Sequence, residues 1–343
     1  MKVTRPLASV KFGASVEFAP APSSAVIDKL EGDPSFLPDL LNSSGGLVVL
    51  KNLHSLRDDP ASLVRISRLL GPEVENYRET LTAERFFHDT VPEVLVLSNR
   101  TPCNHFPPPP PEPVIAAAGT FPIQFPHRKG WHTDQSYRRP PPDISLLYAL
   151  EVPPAGQGQT LYADCTCAYE TLSDSLKQSI ENRIGIHAPK WVGRSEQAVR
   201  DGIAPRTLLP HQQPQHHRLV RRHPVTGKPA LYLCEDGQMD FVDGPIKELE
   251  TGPDGEGARL LYELVTHATQ PHNVYVHRWA RGDLVIGDNR CLLHTATWYN
   301  AKKFTRVLWR TTVMGNPGQE YDGDSKSWIS KQGYSPMHGM EDA

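Results

Sequence analysis

The segment Trp131-His132-Thr133-Asp134-Gln135 places an imidazole and a carboxylate two residues apart. In extended chain such residues face the same side, about 6–7 Å apart at Cα, so His132 and Asp134 can grip one metal ion together. A third ligand is needed, and the best candidate is His294, in Gly287-Asp288-Asn289-Arg290-Cys291-Leu292-Leu293-His294. Two histidines and one carboxylate on one face of an ion, with the opposite positions open, suit a non-haem Fe(II) oxygenase. A His-x-Asp pair alone reads equally well as a hydrogen-bonded pair on a loop; two arginines beyond His294 shift the balance. In Phe304-Thr305-Arg306-Val307-Leu308-Trp309-Arg310-Thr311, strand alternation puts Arg306, Leu308 and Arg310 on one face and Val307, Trp309 and Thr311 on the other. Large apolar residues on both faces mark an internal strand, where an unpaired guanidinium is very costly. No nearby acid is an obvious mate, so Arg306 and Arg310 are expected to hold bound carboxylates through the planar guanidinium fork.

The surrounding chain must bring these distant residues together. Helical spacing is expected within Ala25–Leu41 and, from Leu63, Ile66, Leu69 and Leu70, in a helix ended by Gly71-Pro72. Further helices are expected over Cys167–Ile180, with Ala168, Leu172, Leu176 and Ile180 on one stripe, and over residues 258–267. Strands are expected at Leu47–Leu50, Pro92–Leu97, Ile144–Leu150, Thr160–Tyr162, 230–234, 273–279, 283–287 and 304–313. Short scattered strands broken by helical insertions favour an antiparallel double sheet over a doubly wound parallel one. Residues 1–343 are expected to form one enlarged catalytic domain, with a proline-rich loop at 106–113 and a polar loop insertion at 190–222. The proline run cannot join a sheet, because proline donates no backbone hydrogen bond. His211, His216 and His217 lie in a stretch without periodicity and are expected in a solvated loop rather than at a metal.

Composition narrows the partners. The net charge is −3, with no Lys/Arg run, which argues against nucleic acid. Five cysteines are too sparse for a secreted disulfide framework, and Cys165-x-Cys167 is too close for a usual zinc pair. The amino terminus lacks an apolar signal core and no apolar run approaches bilayer length, so a cytoplasmic protein with no membrane partner is expected. A homo-oligomer remains open.

Taken jointly, these pieces resemble the taurine dioxygenase family of Fe(II)/2-oxoglutarate-dependent oxygenases. The matching residues are Trp131-His132-Thr133-Asp134, Gly158-Gln159-Thr160-Leu161, His223-Pro224-x-Thr226-Gly227-Lys228, Asp288-Asn289-Arg290 through His294, and Arg306 with Arg310. The resemblance runs from about residue 10 to 315. It implies a fold that is mainly β with flanking helices, built on a double-stranded β-helix (jelly-roll) core. It also implies that His132, Asp134 and His294 bind Fe(II), that Arg306 and Thr160 hold the distal carboxylate of 2-oxoglutarate, and that Arg310 contacts substrate or cosubstrate. The expected reaction consumes 2-oxoglutarate and O2, releases succinate and CO2, and oxidises a C–H bond of a small, anionic substrate. Halogenating relatives carry a small residue where this chain has Asp134, so halogenation is disfavoured.

The departures fall where the substrate should sit. Arg128 stands four residues before His132, where taurine oxidisers resemble one another in a small polar residue, and it is a candidate reader of an anionic substrate. Asn76-Tyr77 and Met239-Asp240-Phe241 are weaker pocket candidates. Hydroxylation is the default outcome, with desaturation and ring closure open to the same cofactor chemistry. A non-catalytic jelly-roll binding protein is the rival of another class, and a zinc hydrolase leaves the two inward arginines unexplained.

Overall fold

The computed structural model describes residues 1–110, 130–154, 156–235, 237–314 and Ser327. Two sheets dominate. In the larger, the order is Lys2–Thr4, Ala14–Glu17, Leu47–Lys51, Leu284–Asp288, Ile144–Glu151, Val307–Met314 and Glu73–Val74, with Leu95–Ser98 also paired to Val307–Met314. All neighbours are antiparallel except Ala14–Glu17 against Leu47–Lys51. The smaller sheet runs Val274–His277, Thr160–Asp164, Leu292–Ala296, again antiparallel. This is a mainly β architecture with flanking helices, as expected.

Period-2 alternation explains how the larger sheet is buried on both faces. Leu47, Val49, Leu147, Ala149, Val285 and Leu308 turn to the core shared with the smaller sheet, where Leu161, Ala163, Leu292 and Val274 meet them. Val48, Leu50, Leu146, Tyr148, Leu284, Ile286 and Trp309 turn the other way, beneath the helices Ser23–Glu31, Phe36–Ser43 and Pro60–Arg68. Each such aliphatic side chain contributes roughly 1.5–3 kcal/mol on burial, so a one-residue slip of register would exchange the two cores and is strongly disfavoured.

The strand expected at 304–313 starts only at Val307, because the Arg306 amide is taken by Asn99 Oδ1 at 2.9 Å and the register shifts between Val307 and Leu308. The helix expected over Cys167–Ile180 is two helices, Cys165–Glu170 and Asp174–Ile180. Asp164 caps the first, accepting from the Thr166 and Cys167 amides, and Ser173 caps the second, accepting from Leu176 N. Each side chain is an N-cap, so the second helix starts afresh at Ser173.

The polar insertion also differs from expectation. Gln215–Arg218 is a strand paired with Ile184–His187, and His211 and His217 are buried, not solvated. Their burial favours neutral imidazole; His217 is pushed down to about 3 by burial and then by Arg221. Because that value lies below the ordinary 6.5, the unfolded chain takes up the proton first as pH falls, so this stabilisation is complete above pH 6.5 and drains away toward pH 3. About 2 kcal/mol is expected to be lost between pH 6.5 and 5 from His217 alone. A melting temperature that is flat over this interval would contradict the sign.

Among the described residues, no helix is long and apolar enough to cross a membrane. All five cysteines are free thiols.

Candidate metal and 2-oxoglutarate centre

His132 and His294 are brought together by two backbone hydrogen bonds: each amide donates to the other's carbonyl, at 3.0 and 2.8 Å. Their rings lie 4.3 Å apart, and one ligand atom from each of His132, Asp134 and His294 falls within 4.8 Å of the others. The His132 Nδ1–H donates to Gly130 O at 2.7 Å, which leaves the Nε2 lone pair free for a ligand. Tyr162 stacks on the His294 ring, centroids 5.9 Å apart.

Asp134 is held from several sides. Ser145 Oγ donates to Oδ2 at 2.5 Å and is itself held by Asn289 Nδ2 at 3.0 Å, while the Asp134 amide donates to Asn289 Oδ1. The other oxygen, Oδ1, lies 3.7 Å from His294 Nε2 and accepts from Arg310 Nη1 at 3.1 Å. Burial pushes this carboxyl up, but Arg310, the two imidazoles and Ser145 outweigh burial and hold it well below the carboxylate range. His294 is pushed down to about 3 by burial and then by His132. An ionised Asp134 carboxylate beside a neutral His294 imidazole suits a metal, which needs its ligands deprotonated.

Arg310 therefore has an acid mate, contrary to the expectation that neither arginine would. Asp134 lies 176 residues away in the chain, so no local pattern could announce the pair. Arg306 fits the expectation. It is buried, its Nη2 reaches Thr160 Oγ1 at 3.5 Å, its Nε has no partner, and no carboxylate pairs with it among the described residues. Burial lowers its pKa from the ordinary guanidinium value. Thr160 Oγ1 accepts from Trp279 Nε1 at 3.0 Å, and that indole lies beside the guanidinium. A buried cation of this kind calls for an anion, and the His-Asp-His donor set suits Fe(II), so the residues fit both groups.

The remaining candidates are more scattered. Arg128 lies outside the described residues, as do Pro111–Pro113 of the proline run. Asn76 Oδ1 accepts from the Arg78 amide, and the residue lines a neighbouring cavity with Glu75 and Arg138 rather than with the triad. Met239, Asp240 and Phe241 are core: all are buried, and Asp240 pairs with Arg194 at 2.7 Å. His223, Asp288 and Cys291 also cluster, but His223 Nε2 donates to Asp288 at 2.9 Å and its Nδ1 accepts from Val225 and Thr226 amides. With Arg290 on Asp288 as well, that group is spent on its own hydrogen bonds.

Ser145 and His105 escape a reading by sequence, and Asn289 enters it only as part of the Asp288-Asn289-Arg290 match, without its role on Asp134. Ser145 had a signal, the lone hydroxyl in an otherwise apolar run, Ile144-Ser145-Leu146-Leu147. His105 keeps an open face to solvent while its amide is fixed to Ser98 O at 2.7 Å. Burial on its other sides, then Arg306, Arg310 and Lys190, push its imidazole down to about 4.

The model of the family described as "Taurine catabolism dioxygenase TauD, TfdA family" matches residues 17–312. An alpha-ketoglutarate-dependent 2,4-dichlorophenoxyacetate dioxygenase from Burkholderia sp. (strain RASC) is 34% identical over 185 residues, 54% of this chain and 58% of the relative. An (S)-phenoxypropionate/alpha-ketoglutarate-dioxygenase from Sphingobium herbicidovorans is 34% identical over 197 residues, 56% of this chain and 64% of the relative. The match thus spans about three fifths of these curated relatives. The structure of AAD-2 in complex with Mn(II) and N-oxalylglycine superposes with a TM-score of 0.64 at 25% identity, covering 92% of this chain and 98% of that one.

Proposed function

This chain belongs to the TauD, TfdA family of dioxygenases, whose members use Fe(II), 2-oxoglutarate and O2, and from that premise we propose that it hydroxylates a C–H bond of a small organic anion. The observation that carries the reading is the pairing of a His132/Asp134/His294 donor set with a buried Arg306 that has no carboxylate partner among the described residues.

Bound Fe(II), with 2-oxoglutarate and O2, supplies the oxidising power, and succinate and CO2 leave. The chain's own part is to hold and aim. His132 offers Nε2 because Gly130 takes its other nitrogen, and Asp134 would offer Oδ1, which it shares with Arg310, because Ser145 takes Oδ2. Arg306 and Thr160 would receive the distal carboxylate of 2-oxoglutarate, and Trp279 Nε1–H donates to Thr160 Oγ1 and so fixes that side chain. Arg310, within 3.1 Å of Asp134, would meet a second anionic group beside the metal. Arg128 remains a proposed substrate contact, whereas Asn76, which lines the neighbouring cavity, is not carried forward. The named substrates of the two relatives are aryloxy carboxylates, which fit a site that presents guanidinium groups to an anion.

The test is a screen with Fe(II) and 2-oxoglutarate present. 2,4-Dichlorophenoxyacetate, (S)-phenoxypropionate, sulfonates and N-substituted amino acids are each scored for stimulated succinate release and for the product's mass. At least one carboxylate is expected to stimulate release and to gain one oxygen atom. A product lacking two hydrogens would replace hydroxylation with desaturation or ring closure. No iron-dependent succinate at all would remove the dioxygenase reading and favour a binding protein.

A further inference from the structure

Immediately after the Asp134 ligand the backbone turns left-handed. Gln135 has φ +47°, a conformation that L side chains rarely adopt, and its buried Oε1 has no partner among the described residues. Strain of this sort persists only where neighbouring structure over-determines it. Ser136, the next residue, is fully buried and is gripped by two imidazoles. His217 Nε2–H donates to Ser136 O at 2.8 Å. The Ser136 hydroxyl is hydrogen-bonded to His187 Nδ1 at 2.8 Å and lies 3.3 Å from Gln238 Oε1.

The two histidines come from adjacent antiparallel strands, Ile184–His187 and Gln215–Arg218, in which Gly185 faces His217 and His187 faces Gln215. Their rings meet edge to face at 4.9 Å, and Tyr232 packs against both. His187 has no exposed surface, and its Nε2 has no hydrogen-bond partner among the described residues. A fold selected for stability alone would gain by an apolar ring there, since an unsatisfied buried nitrogen is costly. The upstream half of the same segment is tied separately, through Trp131 to Glu235 and through Thr133 to Cys234 and Asn289.

We infer that His187 and His217 are positioning residues for the metal centre: by fixing Ser136 they hold the left-handed turn at Gln135 that aims Asp134 at His132 and His294. The inference rests on the metal reading given above. It also gives a role to the histidine-bearing insertion, one strand of which carries half of the clamp. Burial favours the neutral form of both imidazoles.

The experiment measures Mn(II) affinity, by electron paramagnetic resonance of the free ion, together with the melting temperature of each full-length variant. His187→Phe and His217→Phe are expected to weaken Mn(II) by about 10- to 100-fold, the range for residues that orient a ligand. His187→Phe is expected to melt at or above the unaltered protein. His217→Gln, whose amide can still donate to Ser136 O, is expected to recover most of the affinity. Gln135→Gly added to His187→Phe is expected to recover affinity too, because glycine adopts the left-handed turn without the clamp. Unchanged Mn(II) affinity in both Phe variants, with the unaltered chain binding Mn(II), would overturn the inference alone. So would a weakening that tracks a lower melting temperature and is not relieved by Gln135→Gly. Failure of the unaltered chain to bind Mn(II) would take down the metal reading itself.

Discussion

Asp134→Ala is expected to abolish metal binding and, separately, to destabilise the fold. The first effect follows from losing one of three ligands, and should exceed the roughly 100-fold that loss of an outer-shell partner costs. The second arises because Arg310 is nearly buried and has Asp134 Oδ1 at 3.1 Å. Removing the acid strands a guanidinium in a site of low dielectric, a change expected to cost about 3–5 kcal/mol. Asp134→Asn tests the division: it keeps an oxygen for the Ser145 hydroxyl but not the charge, so metal affinity and stability should both fall. The double variant Asp134→Ala/Arg310→Met should recover much of the stability and none of the metal binding. Mn(II) titration and chemical denaturation of the three variants are the measurements. Asp134→Ala melting like the unaltered protein would show that the ion pair does not support the fold, and retained Mn(II) affinity would remove Asp134 from the ligand set.

The parts of this molecule that could be read from its sequence are those governed by short periods. Alternation along Phe304–Thr311 placed Arg306 and Trp309 on opposite faces, and the two cores of the larger sheet keep them there, Trp309 under the helices and Arg306 beside Thr160. His132 and Asp134 could be paired because a spacing of two in extended chain has one geometric outcome. What stayed hidden depends on contacts between remote segments. Arg310 finding Asp134, and Ser145 and Asn289 cradling that carboxylate, join two strands and two turns that only the closed sheet brings together. The His-rich insertion misled for a related reason: a polar run without periodicity resembles solvated loop. Here the run contributes a short strand whose histidine is buried against His187 and Tyr232. The break between Glu170 and Asp174 was hidden too, because an apolar stripe at helical spacing survives an interruption that only the Ser173 cap reveals.

Arg306→Met is expected to separate cosubstrate binding from folding. Met keeps much of the length and apolar bulk of the arginine stem while removing a charge that is buried without a carboxylate partner among the described residues. In the cosubstrate complex that charge would be satisfied by a carboxylate. Truncating one member of such a desolvated pair typically costs roughly 2–4 kcal/mol, so affinity for 2-oxoglutarate or N-oxalylglycine should fall about 30- to 1,000-fold. In the protein without cosubstrate the sign reverses. Losing an uncompensated cation from the interior costs nothing in pairing and relieves desolvation, so stability should hold or rise. Arg306→Lys keeps the charge but not the fork, and should fall between the two in cosubstrate affinity. Mn(II) affinity measured without cosubstrate should be unchanged in both, since Arg306 pairs with none of the three proposed ligands. N-oxalylglycine titration and thermal denaturation give both readings on the same samples. An Arg306→Met variant that melts several degrees lower would mean that the guanidinium already stabilises the fold, and unchanged N-oxalylglycine affinity would mean that the cosubstrate's carboxylate lies elsewhere.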